Sequence, residues 1–228
     1  MFGKGGQFRD PYHNVSILTA SFPSPGQDPA VYLLPSFKYF PSLSPDAKSA
    51  TSFTKAHLLP QKPHPMHDGL SPEDKSRLTR DPSQADQHPA NPIRDVVVLI
   101  CGHGGRDMRC GVMGPLLRDK FLSVLDSEGM SVTDAPRGDD GDVKTRVGLI
   151  SHVGGHKFAG NVIVNIPPTM TLPDGSAHRL AGCAIWYGRV EPRHVEGIVS
   201  ATIREGRVIG ELFRGGIDAE GALLDIGD

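Results

Sequence analysis

The chain has few cysteines, few aromatic residues and no long hydrophobic run. Three cysteines and one tryptophan occur among its 228 residues, and aromatic residues make up 6% of the sequence. Three cysteines argue against a small secreted module held together by disulfides. The longest apolar stretches, such as Val96 to Ile100 and Val162 to Val164, are far shorter than the roughly 20 residues that a membrane-spanning helix requires.

The sequence also lacks an excess of charge of either sign. The formal net charge is -2 and no run of Lys or Arg stands out, so neither a nucleic-acid surface nor a polybasic membrane patch is indicated. The opening residues, MFGKGGQFRDPYH, carry neither the pattern of a transit peptide nor the apolar core of a signal peptide. With 38% hydrophobic and 22% charged residues, the composition predicts a soluble globular protein with one ordinary core and a loop-rich extension.

Proline and glycine divide the chain near residue 95. Fourteen of the twenty prolines precede this point and twenty-two of the twenty-seven glycines follow it. In residues 1–44 we predict short strands at Val15 to Leu18 and at Val31 to Leu34, which contribute to or flank the core. Residues 45–93 are predicted to be a Pro/Ser/His-rich loop or linker with one short helix at Pro72 to Leu78. Its histidines, which we expect to be solvated, are His57, His64, His67 and His88.

Residues 94–228 alternate between strand and helix patterns. They predict an α/β (α+β) domain with the order β-α-β-β-β-α. The predicted strands are Arg94 to Cys101, Val147 to Ser151, Asn161 to Ile166 and Gly182 to Tyr187. The predicted helices are Gly114 to Ser127, with Gly129 at the position of a C-terminal cap, and Pro192 to Arg204.

Two pairs of metal-ligand residue types follow apolar runs in this second half. Cys101 and Cys110 occur in CGHGGRDMRC, whose glycine-rich loop can turn both sulfur atoms toward one point. His152 and His156 flank a diglycine in SHVGGHK, so a helical start or a tight turn would bring their imidazoles together. Two thiolates and two imidazoles suit either a zinc ion or a 2Fe-2S cluster with one pair on each iron. Reduced cysteines and hydrogen-bonded histidines without a metal are the alternative.

Four segments carry a resemblance to a known family. In order they are YLLPSFKYFP, VVVLICGHGGRDMRCGVMGPLL, SHVGGHKFAGNVIV and AIWYGRVEPRHVEGIV. From about Tyr12 to Arg204, apart from the proline-rich segment, the chain resembles the sucrase/ferredoxin-like family. The resemblance implies a thioredoxin-like ferredoxin fold, with a mixed central sheet flanked by helices. It also implies a 2Fe-2S cluster whose ligands, carried over to this sequence, are Cys101, Cys110, His152 and His156.

The resemblance further implies an electron-transfer or redox-sensing role in mitochondrial redox and iron-sulfur homeostasis, with a cytosolic location as the alternative. The partner would be an unidentified redox protein. Replacing two thiolates by neutral imidazoles removes negative charge and should raise the potential, as in Rieske centres at about -150 to +300 mV against roughly -400 mV for plant-type ferredoxins. Two other functions stay open: a structural zinc module with the same ligands, and a thiol oxidoreductase, although the usual C-x-x-C motif is missing.

Several neighbours could modify such a site. His103 is the rival ligand, with a hydrogen bond to the ligand loop as the alternative. Arg106, Arg109 and Lys157 could favour the reduced state or dock an acidic partner, or could simply be solvated. Cys183 is expected to be a buried apolar residue.

Overall fold

The computed structural model describes residues 1–2, 6–134, 143–153, 155–218 and 220–225, and for His156 the backbone alone. Contacts divide the chain into two compact units. The first consists of Met1–Ile17, Ser24–Val31 and Phe40–Asn91, and the second of Leu18–Pro23, Tyr32–Tyr39 and Pro92–Asp228. The first unit therefore contains most of the proline-rich part, and the second contains the glycine-rich half.

Eight strands and four α-helices form within the described residues. The strands are β1 (Val31–Leu33), β2 (Lys38–Phe40), β3 (Asn91–Pro92), β4 (Val96–Cys101), β5 (Thr145–Ile150), β6 (Val162–Asn165), β7 (Ala184–Tyr187) and β8 (Phe213–Ile217). The helices are α1 (Ala47–Phe53), α2 (Pro72–Arg77), α3 (Met108–Ser127) and α4 (Val195–Gly197). This mixed content confirms the predicted α+β class. None of the helices in the described ranges is long and apolar enough to cross a membrane.

A five-stranded mixed sheet in the order β5-β4-β6-β7-β8 is the centre of the second unit. Strand β4 pairs parallel to β5 and antiparallel to β6, and β6, β7 and β8 continue antiparallel. The register aligns Val147, Val98, Val164 and Ile185 in one row across four strands. All four side chains belong to one hydrophobic core because alternate residues of a strand face the same side of the sheet. Strands β1, β2 and β3 form a separate three-stranded sheet in that order.

Helix α3 covers the core face of this sheet. Its buried residues Leu117, Phe121, Val124 and Leu125 pack in the same cluster as alternate residues of β4. The helix ends as predicted, because Gly129 adopts a φ of 68° and the N–H of Met130 donates to a carbonyl of the last turn. Its start differs from the prediction: the helix begins at Met108 rather than Gly114. Cys110 therefore lies on a helix and not in a loop.

The four predicted strands of the second unit are confirmed, with ends that differ by at most two residues. The predicted helix from Pro192 to Arg204 is helical throughout, but its geometry changes along its length. A 3₁₀ turn (Pro192–His194) leads into α4 and then into a π-helical segment (Ile198–Arg204). Strand β8 was not predicted, since its sequence FRGGI contains two glycines, which weaken a strand pattern.

The prediction of a strand from Val15 to Leu18 is wrong. The residues that pair with β5 come slightly later in the chain: Ala20 bridges Ile150, and the N–H of Ser21 donates to the Leu149 carbonyl at 2.8 Å. Ile17 is 74% exposed. Val15 and Leu18 are only half-buried. The segment therefore lacks the fully buried face that normally fixes the register of a strand.

The first unit has more helical structure than its composition predicts. Besides α1 and the confirmed α2, it contains a π-helical turn (Thr54–Leu58) and two 3₁₀ segments (Pro65–His67 and Pro82–Gln87). Two of its histidines are buried, contrary to the expectation that all four are solvated. His57 packs against the rings of Phe40 and Phe53, and His67 contacts Asp10. The contacts with Phe40 and Asp10 join residues far apart in sequence, so composition alone did not indicate them.

Candidate metal centre

Two of the predicted ligands lie at the carboxyl ends of neighbouring parallel strands. Cys101 is the last residue of β4 and is aligned with Ile150, the last residue of β5. His152 follows two residues later. Because β4 and β5 run parallel, their carboxyl ends meet at one edge of the sheet. The polar residues that follow both apolar runs are thus brought together by the strand pairing.

Helix α3 adds the third residue from its first turn. Asp107 is the N-cap, and its carboxylate accepts a hydrogen bond from the Arg109 N–H at 2.9 Å. The Cys110 N–H donates to the Asp107 carbonyl at 3.1 Å. An Asp directly before the apolar periodicity is a usual helix-start signal, and it could have indicated from sequence that Cys110 is helical.

Glycines allow the first half of α3 to lie very close to the end of β4 and to the loop that follows it. A Cβ placed on Gly114 would lie 2.8 Å from the Cys101 carbonyl oxygen, and one on Gly111 would lie 2.5 Å from the Gly104 Cα. Both distances are shorter than ordinary packing tolerates. The absence of side chains at these two positions therefore lets Cys110 approach Cys101.

The three side chains form one compact group of soft donor atoms. The sulfur atoms of Cys101 and Cys110 and a ring nitrogen of His152 all lie within 4.8 Å of one another. The Cys101 Sγ and His152 Nδ1 are 4.0 Å apart. Cys101 is 1% exposed and Cys110 0%. Ligand atoms around one tetrahedral zinc ion lie about 3.5 to 4 Å apart, so this group is close to the spacing that a metal requires.

The electrostatics of the two thiols also fit a cation. Burial, followed by the hydrogen bond and the charge of Cys101, raises the pKa of Cys110 to about 11. Two thiolates so close together in an apolar setting are unfavourable when nothing neutralises them. The two penalties are the lost hydration of the thiolates and the repulsion between their charges. A bound metal would remove both, because it would replace the hydration and attract both negative charges. The donor set therefore fits a metal centre.

Three further residues were considered from sequence as ligands or neighbours of the site. The side chain of His156 lies outside the described residues; its backbone begins a short 3₁₀ helix (His156–Phe158). His103 is exposed and is not part of the group of donors found among the described residues. Cys183 is buried in the hydrophobic core, as expected.

Two arginines lie near Cys110, and one of them is paired with a carboxylate. Arg109 forms two side-chain hydrogen bonds with Asp107, of 3.1 and 2.9 Å, so much of its charge is neutralised locally. Arg106 is exposed.

Sequence reasoning did not identify Asn161, a fully buried residue whose carbonyl accepts from the Cys101 N–H at 3.0 Å. Its partner is sixty positions away in the chain, and no local pattern signals such a contact.

The fold and the donor group define an α+β protein with a candidate soft-metal centre where two parallel strands and a helix start meet. The sequence model of the family described as sucrase/ferredoxin-like matches residues 10–215. The chain belongs to this family. The family assignment made from the four quoted segments is thereby confirmed.

Curated relatives are similar over much of the chain. The protein named altered inheritance of mitochondria protein 32 from Meyerozyma guilliermondii is 37% identical over 217 residues, which cover 92% of this chain and 67% of the relative. Its namesake from Debaryomyces hansenii is 32% identical over 90% of this chain and 67% of the relative. Actin patches distal protein 1 from Saccharomyces cerevisiae is 36% identical over 46% of this chain and 29% of the relative. The chain thus spans about two thirds of the length of the first two relatives.

Proposed function

We propose that this protein is a 2Fe-2S electron carrier or redox sensor. Cys101, Cys110, His152 and His156 are the proposed ligands. The observation that carries the proposal is the convergence of two buried thiols and an imidazole, from three separate chain segments, within 4.8 Å. His156 is included on its H-x₃-H spacing and on the family resemblance.

When bound, the cluster supplies reversible one-electron chemistry. The chain's own residues hold it and control its surroundings. The burial of Cys101 and Cys110 keeps water from both sulfur atoms, and neutral imidazoles limit the negative charge of the ligand set. The backbone of both cysteines is fixed by hydrogen bonds to the Asn161 and Asp107 carbonyls. This preorganisation favours a centre whose ligands move little between charge states.

The raised pKa of Cys110 argues against a thiol oxidoreductase. A nucleophilic cysteine needs a pKa below its ordinary value near 8.5, so that the thiolate is present at neutral pH. Burial and Cys101 instead raise the pKa of Cys110 to about 11. In the absence of metal, Cys110 is therefore poorly suited to attack a disulfide.

Metal analysis of the anaerobically purified protein distinguishes a cluster from zinc. We expect visible absorption, with iron and acid-labile sulfide in a ratio near one and about two irons per chain. A colourless protein with about one zinc per chain would instead establish the structural zinc site. A protein that binds neither metal would contradict the assignment of a metal centre.

Ligand variants test the residues one by one. Cys110→Ser and His152→Ala should lose most of the visible absorption, because each removes one donor of the set. Cys183→Ala and His103→Gln are matched controls, since Cys183 is a buried cysteine of the core and His103 is an exposed histidine near the site. Loss of absorption in His103→Gln with retention in His152→Ala would make His103 the ligand.

The assignment of His156 needs a variant of its own. His156→Ala should lose the cluster, whereas His156→Cys should retain it with an altered electron paramagnetic resonance spectrum, because a thiolate replaces an imidazole on one iron. An unchanged spectrum in both variants would remove His156 from the ligand set.

We also propose that this function serves mitochondrial redox balance. The relatives' name, altered inheritance of mitochondria protein 32, supports this location. Fractionation of cells that express the full-length natural protein at its native level tests it. Recovery in the cytosolic fraction alone would favour the alternative location.

A further inference from the structure

Three cationic side chains surround the ring of Phe158, just after the H-x₃-H motif. The Arg214 Cζ lies 4.0 Å from the centre of this ring, the Lys157 Nζ 5.0 Å and the Arg189 Cζ 5.1 Å. Lys157 and Arg189 are exposed, and Arg214 is half-buried. We call Lys157, Phe158, Arg189 and Arg214 the basic face. Such cation–π contacts stabilise a cation that is held above the face of an aromatic ring.

The positive charge of the basic face is not neutralised by carboxylates within the described part of the chain. Among the residues that the structure describes, no carboxylate forms an ion pair with Lys157, Arg189 or Arg214. Other arginines of this unit do have such partners: Arg109 pairs with Asp107, and Arg193 pairs with Glu191. Burial, and then the charge of Arg189, lower the pKa of Arg214. Like charges held this close favour the arrival of an external anion.

Arg214 connects the basic face to the candidate metal centre. Its guanidinium donates to the Asn161 side-chain oxygen, and the Asn161 carbonyl accepts from the Cys101 N–H at 3.0 Å. A single residue therefore separates the basic face from a proposed ligand. The basic face therefore lies beside the candidate metal centre.

Packing holds Arg214 in place and leaves the other two cations available. Arg214 lies against the rings of both Phe158 and Trp186, with its Cζ 5.0 Å from the centre of the Trp186 ring. A Cβ on Gly188 would lie 2.3 Å from the Arg214 Cδ, so only glycine leaves room for it there. Arg214 thus acts as a fixed charge at the base of the face, whereas Lys157 and Arg189 extend into solvent.

We propose that the basic face docks the acidic surface of a redox partner protein beside the metal centre. This inference rests on the proposed function and deepens it, since it identifies the chemistry of the partner. The chain as a whole carries a net charge of -2, so attraction of an acidic protein requires a local surface of opposite sign. Transient redox complexes have small interfaces whose association is steered by charge. Three cations beside the centre provide such steering.

Binding of an acidic peptide tests the basic face without any metal. The probe is a fluorescein-labelled peptide of ten glutamates, and its anisotropy is measured at about 0.01 M ionic strength, where screening is weak. The variant is Lys157→Gln with Arg189→Asn; Asn tolerates the positive φ of 57° at position 189. We expect the variant to bind about fivefold more weakly than the parent, and parental binding to weaken as salt is added.

The matched control removes the same charge elsewhere. Lys48 and Lys62 are exposed lysines of the first unit, and Lys48→Gln with Lys62→Gln should bind the peptide as the parent does. An equal loss of peptide affinity in both double variants, or no loss of affinity in either, would overturn the proposal. Tighter binding of a ten-nucleotide single-stranded DNA, lost with the same two residues, would also overturn it in favour of a nucleic-acid surface.

The outcome separates this inference from the proposed function. Colourless protein that binds the peptide through Lys157 and Arg189 would refute the iron-sulfur assignment and leave the basic face intact as an acidic docking surface. Coloured protein whose peptide binding is unaffected by the two substitutions would support the iron-sulfur assignment and refute the basic face as a docking surface.

If the purified protein is coloured, the rate of electron transfer to small charged cobalt complexes gives a second test of the basic face. One electron passes from the reduced protein to tris(oxalato)cobaltate(III), an anion, or to tris(phenanthroline)cobalt(III), a cation, each of which becomes cobalt(II). The variant Lys157→Gln with Arg189→Asn should slow the reaction with the anion severalfold and should not slow the reaction with the cation. Equal slowing with both complexes would contradict steering by the basic face.

Discussion

At the scale of single residues, Arg146 is the most completely buried charged side chain of the described sheet unit. It is 1% exposed and lies on β5. Its guanidinium donates to the Tyr32 hydroxyl at 2.5 Å and to the Asp134 carbonyl at 2.9 Å. Its Nε lies 3.8 Å from the Asp95 carboxylate, which is also buried. A buried charge with this many partners is costly to disturb.

Arg146→Met should lower the free energy of unfolding by about 3 to 5 kcal/mol, because it leaves Asp95 without its buried counter-charge. Tyr32→Phe is the comparison, since it removes one hydrogen bond and should cost about 1 kcal/mol. Urea denaturation followed by the fluorescence of Trp186, which belongs to the same unit, measures both. Equal losses in the two variants would contradict a dominant role for the charge pair.

At the scale of elements, the contact between α3 and the end of β4 decides whether the donor atoms meet. The helix carries Cys110 and the strand carries Cys101; Gly114 lies against the strand end, and Gly111 lies against Gly104 in the loop that follows the strand. A helix normally avoids glycine, because each one costs roughly 1 kcal/mol relative to alanine. Glycines on the face toward the strand end and its following loop therefore indicate that close approach outweighs helix propensity here.

Gly114→Ala should impair the candidate metal centre. The added methyl group would meet the Cys101 carbonyl oxygen and the Gly102 Cα at 2.8 Å, and the helix must move away from the strand to accommodate it, at a cost of about 1 to 3 kcal/mol. We expect a lower metal content per chain and a lower melting temperature.

Gly197→Ala is the matched control for this change. It also lies in a helix, but its added methyl group would meet only the Ile209 Cδ1, at 3.8 Å. Ordinary helix propensity then predicts unchanged metal content and unchanged or slightly higher stability. Normal metal content in Gly114→Ala would show that the close contact is not required for the centre.

At the scale of the whole molecule, the two compact units are stabilised by different means. The second has a continuous apolar core between a five-stranded sheet and its helices. The first contains short helical segments and aromatic rings, together with the buried pair in which the His67 Nε2 lies 2.9 Å from the Asp10 carboxylate. Polar contacts of this kind make stability depend on pH.

Asp10 should make the first unit sensitive to acid. Burial raises the pKa of Asp10, but the Tyr12 N–H and His67 lower it by more, so its pKa is below the ordinary value of 3.8. A carboxylate with a lowered pKa contributes its stabilisation fully above 3.8 and loses it as pH falls through the lower native value. Protection against hydrogen exchange in residues 6–17 and 64–70, corrected for the intrinsic effect of pH, should therefore fall in that range.

Asp10→Asn provides the control for the acid response. It retains an oxygen that can accept from the Tyr12 N–H, which lies 2.9 Å from the carboxylate in the parent, but it cannot titrate. We expect lower protection at neutral pH and little further loss on acidification. The same acid response in parent and variant would assign the effect to another group.

Much of the sheet unit could be predicted from sequence, because its elements have strong local signals. The run VVVLIC predicted β4, and the apolar spacing with Gly129 predicted the end of α3. The start of α3 and strand β8 were missed, since glycines weaken both patterns. The first unit was predicted less well: two of its histidines, His57 and His67, are buried, and their contacts with Phe40 and Asp10 join residues far apart in the chain, which no local pattern records.

The sequence by itself determined the chemistry that is possible here: the soft donors, their position after apolar runs, and the family to which the chain belongs. The tertiary structure decided which of these side chains meet. It brought Cys101, Cys110 and His152 together, left His103 exposed, and linked Arg214 to Cys101 through Asn161. The physical reason is that strand pairing and helix packing set distances between residues remote in the chain, whereas sequence spacing constrains only near neighbours.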